Sequence, residues 1–337
     1  MNAMRQTTCI LLCGYWSVIT LAAQNAPSPS LLVLSKGDHT LAIVDPVSLK
    51  AVARMPSGPD PHEVIASSDG KLAFISNYGG GLYNTITPVD LIAHHSLKPI
   101  DLGPLRGPHG LDFAGGKLFF TAEVAKAIGS YDLAAKQVDW ILGTGQNRTH
   151  MLAVKRDLSR IVTTNVSSGT ISIIDRVNVR GPNNSTRVDW NETVVPVGRG
   201  SEGFDISPDG REIWTANAQD STISVVDSEK KAVVATLAVN VKGANRLKFT
   251  PDGKLAFVSL IRSPDVVVVS PGDRKEVKRI PIGHGAEGVL MDPSGTRVFV
   301  SATPDNYVAV IDLKTLAVTG HIDAGKEPDG LAWVAGQ

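Results

Sequence analysis

Residues 207–227 read SPDGREIWTANAQDSTISVVD. SPDG is a turn signal. REIWTAN and STISVVD are short runs enriched in Val, Ile, Thr and Trp, and the second ends in aspartate. Runs of that length and composition, bounded by Gly, Asp and Asn, are antiparallel strands joined by tight turns. Asp and Gly suit the turn because they satisfy its backbone locally and tolerate positive φ. Similar stretches occur along the chain: SSDGKLAFISNYGGG (67–81), KRDLSRIVTTNVSSGTISIID (155–175), TPDGKLAFVSLIRSPDVVVVS (250–270) and DPSGTRVFVSATPDNYVAVID (292–312). AGGKLFFTAEVAKAIGSYD (114–132) is a degenerate copy, shorter at its turn.

Each unit has four runs. One precedes the turn, two follow it, and a fourth is valine-rich, as in AVVATLAV (232–239). The residue opening each first run is His62, His109, His150, Glu202, Asn245, Glu287 or Asp329, at intervals of 41 to 52 residues. Seven four-stranded antiparallel units of that period form an all-β, seven-bladed β-propeller, because a single sheet cannot bury both faces and a radial stack can. The ends support closure. Residues 31–56 supply LLVLS, TLAIVD and KAVARMP, three runs without a first; residues 328–334, PDGLAWV, supply a first run without the rest. One blade would take three strands from one end and one from the other. The aspartates closing the third runs (Asp45, Asp90, Asp132, Asp175, Asp227, Asp312) are expected to cap the turns that follow.

The pattern xPDGxxxxxxN…xxxVxD, with WTAN where relatives carry YVTN, resembles the YVTN or YncE-like seven-bladed propeller family over residues 31–334. The resemblance implies the fold. It leaves function open, since that superfamily includes lactonases, lyases, subunits of redox enzymes and non-catalytic binding proteins.

In a propeller the first strand of each blade lines the central channel, and the loops between second and third strands emerge at the same end. That end should gather the seven-residue column above, which contains no apolar residue, with Asn77, Glu123, Asn165, Asn217 and the loop around Arg262. His62, His109, His150 and Glu287 are candidate ligands for a divalent metal ion, the one cofactor this set suggests. His109, His150 and Glu202 are candidate acids and bases, and Arg246 a clamp for an anion. Glu63, Asn77, Glu123, Asn217, Asn245 and Asp329 are candidate substrate contacts. Against this, polar residues at a wet channel mouth require no function, and polar turn residues also satisfy backbone groups. The next column, Glu63, Gly110, Met151, Gly203, Arg246, Gly288 and Gly330, admits two readings: room for a ligand, or crowding at the narrow inner edge. Arg148 is placed to reach the same space. NYGGGLYN (77–84) is a glycine-rich rim that would act as a lid or be a plain variant loop.

The chain has 337 residues with 33 basic and 33 acidic side chains, a balance that argues against nucleic-acid binding. Residues 1–23 carry Arg5 ahead of an apolar stretch, the layout of a signal peptide cleaved near Ala22–Ala26, with 24–30 a linker and 31–337 the propeller. The chain is then expected to be secreted or periplasmic, without a stable membrane span, and monomeric; the alternative reading of the apolar stretch is a retained membrane anchor, for which it is near the short limit. Cys9 and Cys13 fall in that signal, so the mature chain would hold no thiol or disulfide. Sequons at Asn147, Asn165, Asn183, Asn184 and Asn191 would carry glycans if the host is eukaryotic. The segment 175–195 reads as a solvated loop on the face opposite the channel mouth. The expected function is a polar small-molecule site at the channel mouth of an enzyme of lactonase, hydrolase or isomerase type, metal-assisted or not. The alternative is a non-catalytic scaffold binding a ligand or protein partner. A redox subunit would need a cofactor-attachment motif such as CxxCH, which the sequence lacks.

Overall fold

The computed structural model describes residues 29–335. The stretch expected to be a signal peptide, most of the expected linker and both cysteines lie outside the described residues. Seven sheets form the ring, six of four strands and one whose outer strand is split. The inner strands of blades 2 to 7 are Pro61–Ala66, Pro108–Ala114, Thr149–Val154, Ser201–Ile206, Ala244–Phe249 and Val289–Met291. Blade 1 joins Ser30–Ser35, Thr40–Asp45 and Lys50–Pro56 to Pro328–Val334, with Leu31 opposite Trp333 and Val33 opposite Leu331. The predicted clasp is therefore the closure of the ring. In blade 2 the outer strand breaks into His95–Ser96 and Ile100–Asp101 around Pro99, which lacks the N–H a continuous ladder needs. Among the described residues no helix is long and apolar enough to cross a membrane.

Burial explains why the ring holds. The middle strands are buried on both faces, as in Glu212–Asn217 and Thr222–Asp227. The outer strands alternate, as in Gln137–Gly143. The apolar clusters lie between blades: Trp214 and Ile223 of blade 5 pack with Phe249 and Val258 of blade 6, and Leu32 and Leu34 of blade 1 with Val64 and Ile75 of blade 2.

Each inner strand of blades 1 to 6 carries a β-bulge beside its column residue; Pro61 pairs with Asn77 and Val64 with Ile75, leaving one extra residue at 62–63. The column residue is thus the second of its strand rather than the first, and the bulge delivers two consecutive side chains toward the axis. The adjoining strand supplies a hydroxyl that ties one blade to the next. Thr121 accepts from the Gly110 N–H at 2.9 Å and donates to the His150 carbonyl at 2.8 Å. Ser259 does the same between Arg246 and Glu287, at 2.9 and 2.6 Å.

The glycines of the second column are explained by crowding. A Cβ on Gly203 would lie 2.4 Å from the Asn245 carbonyl oxygen, and one on Gly288 2.1 Å from that of Asp329. Gly110 and Gly330 meet the His150 and His62 carbonyls in the same way. Gly203→Ala is therefore expected to destabilise by roughly 1–3 kcal/mol, the usual cost of forced overpacking. A urea midpoint equal to wild type would refute the crowding account.

Three expectations about loops, turns and sequons are corrected. Segment 175–195 is no loop: Thr170–Arg180 and Thr186–Pro196 form one long hairpin, whose Trp190 packs on Trp140 at 5.2 Å between ring centroids. Asp175 accordingly caps no turn and pairs with Arg160 and Lys231, whereas Asp45, Asp90, Asp132, Asp227 and Asp312 do cap theirs. Asn165 is fully buried and its amide donates to Thr170 and Ser172, so in the folded chain it is no glycan acceptor; Asn147, Asn183, Asn184 and Asn191 are exposed.

Candidate functional site at the channel mouth

The three histidines do come together. His109 lies between the other two, with ring centroids 3.8 Å from His150 and 5.3 Å from His62. Tyr78 closes over them, 5.0 Å from His62 and 5.2 Å from His109. Their strands belong to successive blades, so the inner-strand spacing of the ring sets these distances.

A charged relay runs through His150. Its Nδ1 donates to Glu123 Oε1, and its Nε2 lies 3.3 Å from Glu202 Oε1 in an ion pair too poorly aligned for a good hydrogen bond. Tyr78 donates its hydroxyl to the other Glu123 oxygen at 2.6 Å. Arg148 comes within 3.5 Å of Glu123 and 3.6 Å of Glu202, and its side chain remains 39% exposed. Burial would depress the His150 pKa, but Glu123 and Glu202 outweigh it and raise the pKa above the usual value. Glu202 is conversely held down at about 2, burial being outweighed by His150 and Arg148. His150 thus sits between two carboxylates that favour its protonated form.

His109 is its counterpart. Burial, then the charges of His150 and His62, hold its pKa well below the ordinary value. It is 4% exposed, and its Nδ1 has no hydrogen-bond partner. His62, more open to solvent, is lowered to about 4 by burial and by Lys36. Adjacent imidazoles at the mouth are therefore pushed in opposite directions, His150 toward its protonated form and His109 toward its neutral one.

A second group fills the far side. Arg246 of blade 6 crosses the axis to pair with Glu63 of blade 2, so its guanidinium is already committed to a carboxylate. Lys36 bonds Glu287 at 2.7 Å and lies 3.2 Å from Asp329, which in turn is 3.7 Å from His62. Asn245 is buried beside them with its Oδ1 unpartnered.

The metal set His62, His109, His150 and Glu287 is not assembled. Glu287 is held by Lys36, His150 Nδ1 is spent on Glu123, and among the described residues no group of three or more His, Cys, Asp or Glu is placed to hold a metal ion. Asn77 and Asn217 are also corrected: both are fully buried and hydrogen-bonded inside their own blades, Asn77 to Ser57 and Thr87, Asn217 to Thr222 and Ser224. The side chain that reaches the mouth is one position further on. Lys36, Tyr78 and Glu123 share that place in blades 1 to 3, and sequence reasoning found only Glu123. The alternation of a strand end was the available signal, since the residue after a buried one turns the other way.

Acid should loosen this site. Unfolded, His62 would take up its proton near 6.5; folded, only near 4. The unfolded state binds more protons in that window, so stability falls as pH drops through it, by about 3 kcal/mol for this group alone. Glu202 adds to the loss below the ordinary carboxylate range, while the His150 contribution, complete at low pH, is lost only on the alkaline side. His62→Asn should flatten the decline in urea midpoint between pH 6.5 and 4; an unchanged slope would contradict the assignment.

No protein-family model matches the sequence and no curated protein matches it. Solved structures do. A functionally unknown protein from Desulfotomaculum acetoxidans superposes with a TM-score of 0.73 at 13% identity, covering 92% of this chain and 100% of the other. A "putative 6-phosphogluconolactonase" from Bacteroides fragilis gives 0.71 at 14%, covering 93% and 99%. Dihydro-heme d1 dehydrogenase NirN in complex with DHE gives 0.63 at 15%, covering 91% of this chain and 65% of that one. At these identities the likeness shows the fold.

Proposed function

We propose that this propeller is an exported hydrolase of the YncE-like kind, which opens a small lactone or related ester at its channel mouth. The observation that carries the reading is His109, an imidazole held in its neutral form with an unpartnered ring nitrogen, packed at a tilt against His150, whose protonated form Glu123 and Glu202 favour. A neutral imidazole beside a fixed positive charge is a base that needs no prior deprotonation. His109 takes a proton from water as the hydroxide oxygen adds to the carbonyl carbon. It returns that proton to the ring oxygen as the C–O bond breaks, leaving acid and alcohol. The oxyanion formed between those steps is stabilised by the half-exposed Arg148 guanidinium. Glu123, Glu202 and His150 hold each other and Arg148 in place. No step requires a metal.

One observation favours the non-catalytic scaffold: His109 and His150 are 4% and 1% exposed, burial that suits a channel plug as well as a base. His109→Asn separates the readings. The hydrolase predicts turnover of some member of a lactone and sugar-lactone panel, and a loss of about 10²-fold or more in the variant, the usual worth of a positioned base. Wild-type protein that binds panel members by thermal shift but turns over none would sink the hydrolase and leave the scaffold.

A further inference from the structure

Beside the mouth, between blades 5 and 6, lies a cleft of about 810 Å³. Ala218, Ala244, Leu260 and Ile261 form an apolar floor. Lys242 and Arg262 stand exposed on its rim, and among the described residues neither has a counter-ion. The third cation, Arg279, pairs with Glu276 and donates to the Val239 and Asn240 carbonyls, which fixes its guanidinium at the cleft edge. The carboxylate in the lining is Glu202, whose charge is answered by His150 and Arg148. The cleft is therefore net positive over an apolar base, and its inner end is a member of the histidine relay.

We infer that this cleft binds an organic acid: a carboxylate or phosphate on an apolar body, its anionic group between Lys242 and Arg262. Uncompensated cations on a rim attract an anion at long range and pair with it at contact. The apolar floor excludes a bare inorganic ion as the fitting occupant, because such an ion gains nothing from the surface it would cover. The cleft meets the mouth at Glu202, so the body of such an acid would extend toward Arg148 and the histidines. The inference rests on the reading of the mouth as a ligand site, and it adds that the substrate is anionic.

Saturation-transfer NMR with benzoate, hexanoate, benzyl alcohol and inorganic phosphate tests this on the wild-type protein and on a Lys242→Ala, Arg262→Ala double variant. Both acids should bind wild type, and the alcohol and phosphate more weakly. The double variant should lose about tenfold or more in acid affinity, as expected when charged partners are truncated. Equal binding of benzoate and benzyl alcohol, an unaffected double variant, phosphate binding as tightly as the acids, or no acid binding at all would each overturn the inference. Lactone turnover is read separately: acid binding that persists without turnover overturns the hydrolase alone, and turnover without acid binding overturns the cleft alone.

Discussion

A chain truncated before Pro328 is expected not to fold cooperatively. The missing strand is the inner strand of blade 1, paired along its length with Ser30–Ser35. Ala332 and Val334 pack with Leu32, Leu34 and Val64, while Trp333 lies 6.2 Å from Phe299 of blade 7. Each large apolar side chain fully buried is worth about 1.5–3 kcal/mol, against a total stability of roughly 5–15 kcal/mol for a typical domain. The loss also exposes the edge of Ser30–Ser35 and the flank of blade 2, and removes Asp329 from beside Lys36 and His62. Circular dichroism with thermal unfolding of the truncated chain decides the matter. A cooperative transition within a few degrees of the wild-type Tm would show that the ring does not need its clasp.

Arg246→Ala should be the most destabilising point change among those considered, at about 3–5 kcal/mol, because it leaves buried carboxylate without its partner. Glu63 is its direct partner, and the positive charge also acts on Asp329 and Glu202. The sign with pH is distinctive. Without the guanidinium the orphaned carboxylates take up protons more readily when folded, so the deficit relative to wild type should shrink as pH falls toward 5. An Arg246→Met, Glu63→Gln double variant should recover much of the loss, since a buried ion pair is often worth little more than apolar groups of its shape. A deficit that is independent of pH and not recovered by the double variant would mean that Arg246 acts through packing alone.

The period of SPDGREIWTAN and its copies determined the number of blades, the strand order and the clasp. A strand needs only its alternation, and a turn its Asp and Gly, so that information is local. The column of His62, His109 and His150 was legible for the same reason, because equal positions in equal repeats fall at equal heights around an axis. Which partner each side chain chose was not. Glu287 pairs with Lys36, Arg246 crosses the axis to Glu63, and His150 sits between Glu123 and Glu202. Those choices join residues up to 251 positions apart, through distances the ring closes only when all seven blades are present. They also depend on burial, which favours the neutral form of both imidazoles, and on pairing, since Glu123 and Glu202 reverse that effect at His150 while nothing reverses it at His109, 3.8 Å away. Where the polar groups stand follows from the repeat alone; which partners they take and which charge states those partners favour come only with the closed channel, because desolvation and pairing are properties of the whole ring and of no single repeat.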